Sequence, residues 1–302
     1  MTTRSACHTQ SPVAETGGYP VLDEHIVDYE VFDLPPLSGL RGPKPPLDPG
    51  SFFVCIGAAQ TYGRLCMRPF PTILSDELSL PALNLGTAGA GPLFFLRRPQ
   101  AFDYINRAQF AIVQVMAARG EDNSYFESLD CGILRKRSGG DPILTFQAYQ
   151  DLLETEDEEF VHRIVAETRH NFIRYYQHLL ARITVPTLLF WFARRKPNYV
   201  EDYSEVLKLF GGFPQLVDGD TMMQITPGAD DYVECVTSRG LPQTLFDRFT
   251  GEQTTMRNAP AELGGRELPQ NYYYPSPEMH EDAAAALLEP ARAMLRSTSR
   301  AI

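Results

Sequence analysis

Short, continuously apolar segments recur along the chain. The stretches between them have apolar residues at every third or fourth position instead. The clearest of the apolar segments end at glycine or a polar residue, which is typical of strands buried on both faces of a parallel sheet. The predicted strands are residues 52–57 (FFVCIG), 82–85 (ALNL), 110–116 (FAIVQVM), 187–192 (TLLFWF) and, with the weakest pattern, 215–217 (QLV).

Helical periodicity fills the intervals between these runs. In residues 158–183, Phe160, Ile164, Phe172 and Leu179 belong to a set of large apolar side chains spaced by three and four, which predicts an amphipathic helix. Strands that alternate with helices indicate a doubly wound, three-layer α/β/α fold with a roughly five-stranded parallel sheet. The predicted helices lie within residues 62–80, 100–108, 145–153, 158–183, 200–210 and 280–296.

Eight prolines distinguish residues 1–50 from the rest of the chain. Because proline fixes φ and lacks a backbone donor, this segment is predicted to be an irregular N-terminal arm without a regular helix or a central strand. Residues 51–302 are predicted to form a single α/β domain with a helical insertion at about 145–183.

The chain has 302 residues, 43% of them hydrophobic, and a formal net charge of −11. This balance is typical of a globular protein and argues against binding to nucleic acid or to an anionic membrane, which need local positive charge. No apolar run is long enough for a signal peptide or a membrane span, so a cytoplasmic location is expected. The five cysteines are far apart and form no CxxC pair, which favours reduced, buried thiols over a disulfide or a zinc site.

Three segments lie where ligands bind in folds of this class, after the first two predicted strands and before the last predicted helix. They are residues 56–63 (IGAAQTYG), 84–91 (NLGTAGAG) and 274–280 (YPSPEMH). Their order and spacing resemble those of the SGNH, or GDSL-type, hydrolase superfamily, which implies a flavodoxin-like sheet. The chain also resembles an uncharacterised bacterial family that is described only as a domain of unknown function. This second resemblance rests on the segments TYG (61–63) and RPFP (68–71), NLG (84–86) and AG (88–89), VQVM (113–116) and AR (118–119), and YYPSPEMHEDAAAAL (273–287).

The SGNH resemblance implies roles for several of these residues. His280 corresponds to the catalytic base of that superfamily, and Glu278 is the nearest acid that could orient it. Asn84 and Gly86 correspond to a turn that supplies oxyanion donors, and Gly89 completes the glycine pattern of that turn.

The nucleophile position of the resemblance is occupied by Ala59, and the preceding aspartate position is also alanine. A covalent mechanism needs a hydroxyl or thiol beside an oriented base. Thr61 could supply the hydroxyl if the turn is rebuilt, whereas Cys55 and Cys66 are better explained as packing thiols. Alternatively, His280 could act as a general base on water or on a substrate hydroxyl without a covalent step.

The glycine-rich turns also predict a site for an anionic group, because their backbone N–H groups can approach a ligand closely. The sequence has neither a dinucleotide fingerprint nor a Walker lysine motif, so neither a cofactor nor a metal is expected. The candidate binding residues are Gly57, Ala59, Gln60, Asn84, Gly86, Gly89 and Arg119, with Arg64 and Arg68 as further cations near the turns.

Three functions are consistent with these residues. The first is an SGNH-like hydrolase or group transferase that acts on an ester- or hydroxyl-bearing metabolite or glycan, with His280 as general base. The second is a catalytically inactive SGNH-like module that binds a glycan or an anionic metabolite. The third is a transferase that uses a nucleotide-activated donor, such as a sulfuryl donor. The expected partner is a small molecule or a glycan, and the sequence leaves homo-oligomerisation open.

Overall fold

A five-stranded parallel sheet forms the centre of the protein. The computed structural model describes residues 18–298. The strands are β1 (Phe32–Leu34), β2 (Leu37–Leu40), β3 (Phe53–Ile56), β4 (Ala82–Asn84), β5 (Ala111–Gln114), β6 (Phe126–Ser128), β7 (Ile133–Lys136), β8 (Ile143–Leu144), β9 (Thr187–Ala193), β10 (Asp231–Val236), β11 (Gln243–Phe246), β12 (Gln253–Thr254) and β13 (Gln270–Asn271). The central sheet has the order β10-β9-β5-β3-β4, and all of its neighbouring strands are parallel. This is the flavodoxin-like order, so the predicted fold class is confirmed.

Helices cover both faces of the central sheet. They are α1 (Gly18–Leu22), α2 (Ala59–Tyr62), α3 (Phe70–Leu78), α4 (Pro92–Leu96), α5 (Ala101–Ile105), α6 (Thr145–Thr155), α7 (Glu158–Ala181), α8 (Val206–Phe210), α9 (Gly219–Ile225) and α10 (Pro277–Thr298). Side chains alternate along each strand, so Val54 and Ile56 contribute to one apolar cluster with α7. Phe53 and Cys55 contribute to the cluster on the opposite face, which is covered by α3 and α10.

The fifth strand of the sheet is not the predicted segment 215–217, which is a loop; it is β10. β10 is an edge strand, and its side chains alternate between buried and partly or fully exposed positions. Such a strand lacks the continuous apolar run that identified β3, β5 and β9, so the search for runs missed it.

The long connection from β5 to β9 contains the antiparallel sheet β6–β8, then α6 and α7. The apolar side of α7 packs against the central sheet, as shown by Ile164, Phe172 and Tyr176 in its main cluster. Helix α7 is therefore the crossover helix between two parallel strands. The elements added to this crossover are β6–β8 and α6.

The N-terminal segment is more regular than its prolines predicted, because β1 and β2 pair as an antiparallel hairpin outside the central sheet. Further along the chain, β11, β12 and β13 form another small antiparallel sheet. Residues 18–41 and residues 243–275 share a third apolar cluster with the turn that follows β3. We call these two segments the cap.

Three cysteines, Cys55, Cys66 and Cys235, are free and buried, as expected. Cys131 is disulfide-bonded, so the expectation of reduced thiols was wrong for this residue. Cys7 lies outside the described residues. Between residues 18 and 298, no helix is both long and apolar enough to cross a membrane.

Candidate functional site

The turn after β3 is held closed by Gln114, the last residue of β5. Oε1 of Gln114 accepts one hydrogen bond from the hydroxyl of Thr61, at 2.6 Å, and another from the backbone N–H of Ala58, at 3.1 Å. Gly57 lies so close to both side chains that a Cβ at this position would overlap Thr61 Oγ1 and Gln114 Oε1. Thr61 is fully buried, and its hydroxyl is used to fix the turn.

Asn84 ties the turn after β4 to the turn after β3. Its Nδ2 donates to the backbone carbonyl of Thr61 at 2.8 Å, and its Oδ1 accepts from the N–H of Gly86 at 2.9 Å. Gly86 itself lies against the backbone of Tyr62, where a Cβ would overlap the Tyr62 nitrogen. The amide that the resemblance assigned to an oxyanion hole is therefore engaged at both ends by the protein.

Ala59, at the nucleophile position, packs inside the third apolar cluster. It is 6% exposed, and its cluster includes Tyr29 and Val27 from the first cap segment and Leu245 and Tyr274 from the second. The carboxyl edge of β3, where an α/β fold usually presents its ligand site, is thus covered by the cap.

A buried ion pair fastens the cap to this edge. Arg64 Nε lies 2.8 Å from Asp23 Oδ2, and both side chains are at most 1% exposed. Arg64 also donates to the hydroxyl of Tyr274 at 3.0 Å and to the carbonyl of Arg257 at 2.9 Å, so it joins both cap segments. The hydroxyl of Tyr29 donates to the same Asp23 carboxylate at 2.9 Å. Arg64, considered from the sequence as an anion ligand, is the anchor of the cap instead.

His280 is fully buried near the beginning of α10. Its Nδ1 accepts a hydrogen bond from the backbone N–H of Phe70 at 3.2 Å, and its ring lies beside the rings of Phe70 and Phe192. Burial, with a smaller contribution from the charge of Arg41, lowers the pKa of His280 to about 3. An Nδ1 atom that accepts a hydrogen bond carries no proton, so the proton of the neutral ring is on Nε2, which has no hydrogen-bond partner among residues 18–298.

Glu278 does not contact Nδ1 of His280, which is already engaged by Phe70. It lies instead on the wall of a groove of about 680 Å³ between the cap, the start of α3 and the start of α10. The apolar wall includes Leu65, Met67 and Phe246, and the side chains of Met67 and Phe246 are 70% and 56% exposed. This groove is an open concave surface next to the closed edge of the sheet.

The remaining candidate residues are spread over different parts of the fold. Arg119 packs over the ring of Phe210, with 5.4 Å between its guanidinium carbon and the ring centroid. Arg68 forms an exposed ion pair with Asp76. Gly89 has a positive φ and lies against the backbone of Cys131. Gln60 is buried beside Ala59 and Thr61, and its Oε1 has no hydrogen-bond partner.

Some of the candidate residues lie together at the turns after β3 and β4, whereas others, such as Glu278, Arg68 and Arg119, lie elsewhere in the fold. Gly57, Thr61, Asn84 and Gly86 lie close together, but their polar atoms bond to one another and to Gln114. Burial raises the pKa of the Cys66 thiol to about 12, so this thiol is protonated and remains a packing group.

Sequence reasoning missed Gln114, Asp23 and Arg41. Gln114 had a visible signal, since it is the polar residue inside the apolar run FAIVQVM. Asp23 and Arg41 belong to the proline-rich segment, where no periodicity indicated burial. Within the described part of the chain, no three His, Cys, Asp or Glu side chains come together in a way that could hold a metal ion.

Comparison with known proteins adds a family of unassigned function. Residues 21–128 match the model of a domain of unknown function (DUF6473), in agreement with the second resemblance above. A search of curated proteins finds no match.

Three solved structures are similar to this chain at low identity. One is a protein from Lactobacillus plantarum, with 13% identity and a TM-score of 0.36, covering 81% of this chain and 97% of that one. Another is a family 2 carbohydrate esterase with a carbohydrate binding domain from Corynascus thermopiles (Myceliophthora fergusii), with 11% identity, a TM-score of 0.38 and coverage of 86% and 70%. The third is an active-site mutant of a family two carbohydrate esterase from Clostridium thermocellum, with 12% identity, a TM-score of 0.38 and coverage of 85% and 66%. Sequence identities and TM-scores as low as these assign neither a substrate nor a catalytic residue to this chain.

Proposed function

We propose that the protein is a catalytically inactive α/β module of SGNH type that binds a neutral glycan in the groove beside its closed carboxyl edge. The observation that carries the proposal is the packing of Ala59. The position where a hydrolase would present its nucleophile is a methyl group inside an apolar cluster, 6% exposed.

The neighbouring polar groups support a binding rather than a hydrolytic role. A covalent mechanism needs a free hydroxyl, a base that can accept its proton and donors for the oxyanion. The Thr61 hydroxyl is bonded to Gln114, and the Asn84 amide is bonded to Thr61 and Gly86. The Nε2 atom of His280 carries a proton, so it is a donor and not a base.

The groove has the two features that a sugar ring requires. The exposed ring of Phe246 offers an apolar surface for the C–H face of a sugar. The carboxylate of Glu278 lies on the same wall and forms no hydrogen bond or ion pair with residues 18–298, so it can accept bonds from sugar hydroxyl groups. Two further charged residues on the wall are already paired, Glu281 with Arg239 and Arg68 with Asp76. The carboxylate of Glu278 therefore disfavours an anionic ligand beside it, because like charges repel and would be desolvated together.

A hydrolase remains the second candidate, and one observation favours it. Nε2 of His280 is buried without a hydrogen-bond partner among residues 18–298, as a catalytic histidine would be if its nucleophile were lost. For His280 to act as a base, its Nδ1 would have to release the Phe70 N–H and take the proton, and the cap would have to open. The nucleotide-dependent transferase has weaker support, because Arg64 and Arg68 are already paired with Asp23 and Asp76.

Titration with a panel of neutral oligosaccharides tests the proposal, with two phenylalanine variants as a matched pair. Phe246 lines the groove, whereas Phe249 is exposed in the turn of the same hairpin and is not part of the groove wall. We expect Phe246→Ala to weaken binding at least tenfold and Phe249→Ala to leave it unchanged, by calorimetry on the full chain. Absence of binding to the whole panel, or equal effects of the two substitutions, would contradict the proposal.

A further inference from the structure

Arg41 is a buried cation that lacks a carboxylate partner. It is 4% exposed, and its guanidinium donates to the carbonyls of Gly63, at 3.1 Å, and Met67, at 2.9 Å. It also lies over the ring of Tyr29, with 4.8 Å from its central carbon to the ring centroid. No acidic side chain within residues 18–298 forms an ion pair with it. A guanidinium has five N–H donors, so two hydrogen bonds leave three of them for another acceptor.

Two unpartnered donors belong to the same part of the fold. The hydroxyl of Tyr62 and Nε2 of His280 are both buried, and neither has a hydrogen-bond partner in the part of the chain that the structure describes. Tyr62 directly precedes Gly63, whose carbonyl binds Arg41, and the ring of Tyr62 lies 5.0 Å from that of Tyr29. His280 is bonded to the backbone of Phe70, three residues after Met67. All three donors are therefore attached to one segment, residues 62–70.

We propose that Arg41, Tyr62 and His280 form a binding site for a small oxyanion, a carboxylate or phosphate group, that accepts hydrogen bonds from all three side chains. A buried donor without an acceptor loses the hydrogen bond that water would have supplied, which destabilises the folded state. One negatively charged acceptor could take hydrogen bonds from both of these donors and from the guanidinium of Arg41. Arginine recognises carboxylate and phosphate groups well because its N–H groups can bind two oxygens at once.

The electrostatic surroundings favour an anion over a cation or a neutral group. Burial raises the pKa of the Tyr62 hydroxyl and lowers the pKa of His280, so both remain neutral donors at neutral pH. The charge of Arg41 acts on both groups. Asp23 also acts on Tyr62, but it is neutralised by its ion pair with Arg64. The Glu30 carboxylate acts on Arg41 at a distance but forms no ion pair with it, so within residues 18–298 the guanidinium has no directly bonded counter-charge.

This site is distinct from the groove proposed for a glycan. Leu65 and Met67 line the groove, whereas Arg41, Tyr62 and His280 are not among its lining residues. The proposal stands without glycan binding, and its test uses no glycan, so failure of either proposal leaves the other to be judged separately.

Titration of the full chain with acetate and with inorganic phosphate tests the oxyanion site. Binding is followed by saturation-transfer ¹H NMR for acetate and by ³¹P line width for phosphate. We expect saturable binding of at least one probe, and the preferred probe distinguishes a carboxylate from a phosphate ligand. Tyr62→Phe should weaken that binding about ten- to a hundredfold, which is the usual scale for a hydrogen bond to a charged group.

The choice of Tyr62→Phe keeps the test informative if larger changes prevent folding. The Tyr62 hydroxyl bonds to no atom of residues 18–298, so its removal breaks no hydrogen bond among them. Tyr175→Phe removes a hydroxyl that accepts only an exposed contact from Arg174, and it should leave the affinity unchanged. His280→Gln keeps an N–H donor and should retain binding within about threefold. No saturable binding of either probe, or equal affinity of wild type and Tyr62→Phe, would overturn the proposal.

Discussion

The backbone N–H of Phe70 donates a hydrogen bond to Nδ1 of His280 across 3.2 Å. This bond fixes the tautomer, since an accepting Nδ1 requires that the ring proton be on Nε2. The position that resembles a catalytic base is thereby occupied by a neutral donor in an apolar setting. The bond links the beginning of α3 to the beginning of α10 on the face of the sheet opposite α7.

Replacement of His280 should reduce the acid sensitivity of the fold. The pKa of His280 is lowered from 6.5 to about 3 in the folded state, so the unfolded chain binds an extra proton between these values. Stability therefore falls as the pH decreases from about 6.5 to about 3, by up to about 1.4 kcal/mol per pH unit for one proton. His280→Gln should lack this component in urea unfolding between pH 4 and pH 7. His170→Gln, at an exposed position of α7, should keep the wild-type slope; a wild-type slope in His280→Gln would refute the assignment.

Loss of the Asp23 carboxylate should destabilise the cap strongly. Asp23→Asn leaves the guanidinium of Arg64 buried without a counter-charge, which typically costs about 3–5 kcal/mol. Asp76→Asn breaks the exposed ion pair with Arg68 and should cost less than about 1 kcal/mol. Chemical unfolding of the two variants gives the comparison, and similar losses of stability would show that the buried pair does not anchor the cap.

Glu121 should make the protein less stable as the pH rises. Its side chain is 2% exposed, and burial, reinforced by the charge of Asp122, raises its pKa well above the ordinary value of 4.5. The folded state thus holds a proton that the unfolded state has released, and stability is lost as the pH increases above about 4.5. Glu121→Gln should gain stability relative to wild type between pH 5 and pH 8. The exposed Glu159→Gln serves as the control, and an unchanged difference across this range would be contrary to expectation.

Restoring a hydroxyl at the nucleophile position should not create an esterase. In Ala59→Ser the new side chain would enter the third apolar cluster, and the proton on Nε2 of His280 would prevent that atom from accepting the serine proton. We expect turnover of p-nitrophenyl acetate to match that of Ala58→Ser, the neighbouring control. Turnover that appears only in Ala59→Ser, and disappears when His280→Gln is added, would restore the hydrolase interpretation.

The sequence predicted the parts of this protein that depend on local pattern. The apolar runs that became β3, β4, β5 and β9 were visible because these strands are buried on both faces. The edge strand β10 was missed because its exposed positions break the run.

The state of the candidate site depends on contacts between distant segments. Arg64 binds Asp23, 41 residues away, and Tyr274, 210 residues away, so no local window could show that it closes the cap. Likewise, the glycines and Asn84 correctly indicated two adjacent turns, but only their geometry reveals that their polar atoms bond to one another. The residue types indicated which reactions the site could support. Whether its polar groups are free to react depends on their burial and on their hydrogen-bond partners in the folded protein.

Simultaneous measurement of binding and turnover tests the central claim most directly. The wild-type protein would be incubated with a saturating concentration of the oligosaccharide that it binds best, in native and O-acetylated forms, and both the bound fraction and the released products would be followed over time. The account predicts binding that requires Phe246, with product release no faster than in buffer. Release above the buffer rate that is abolished by His280→Gln would contradict it.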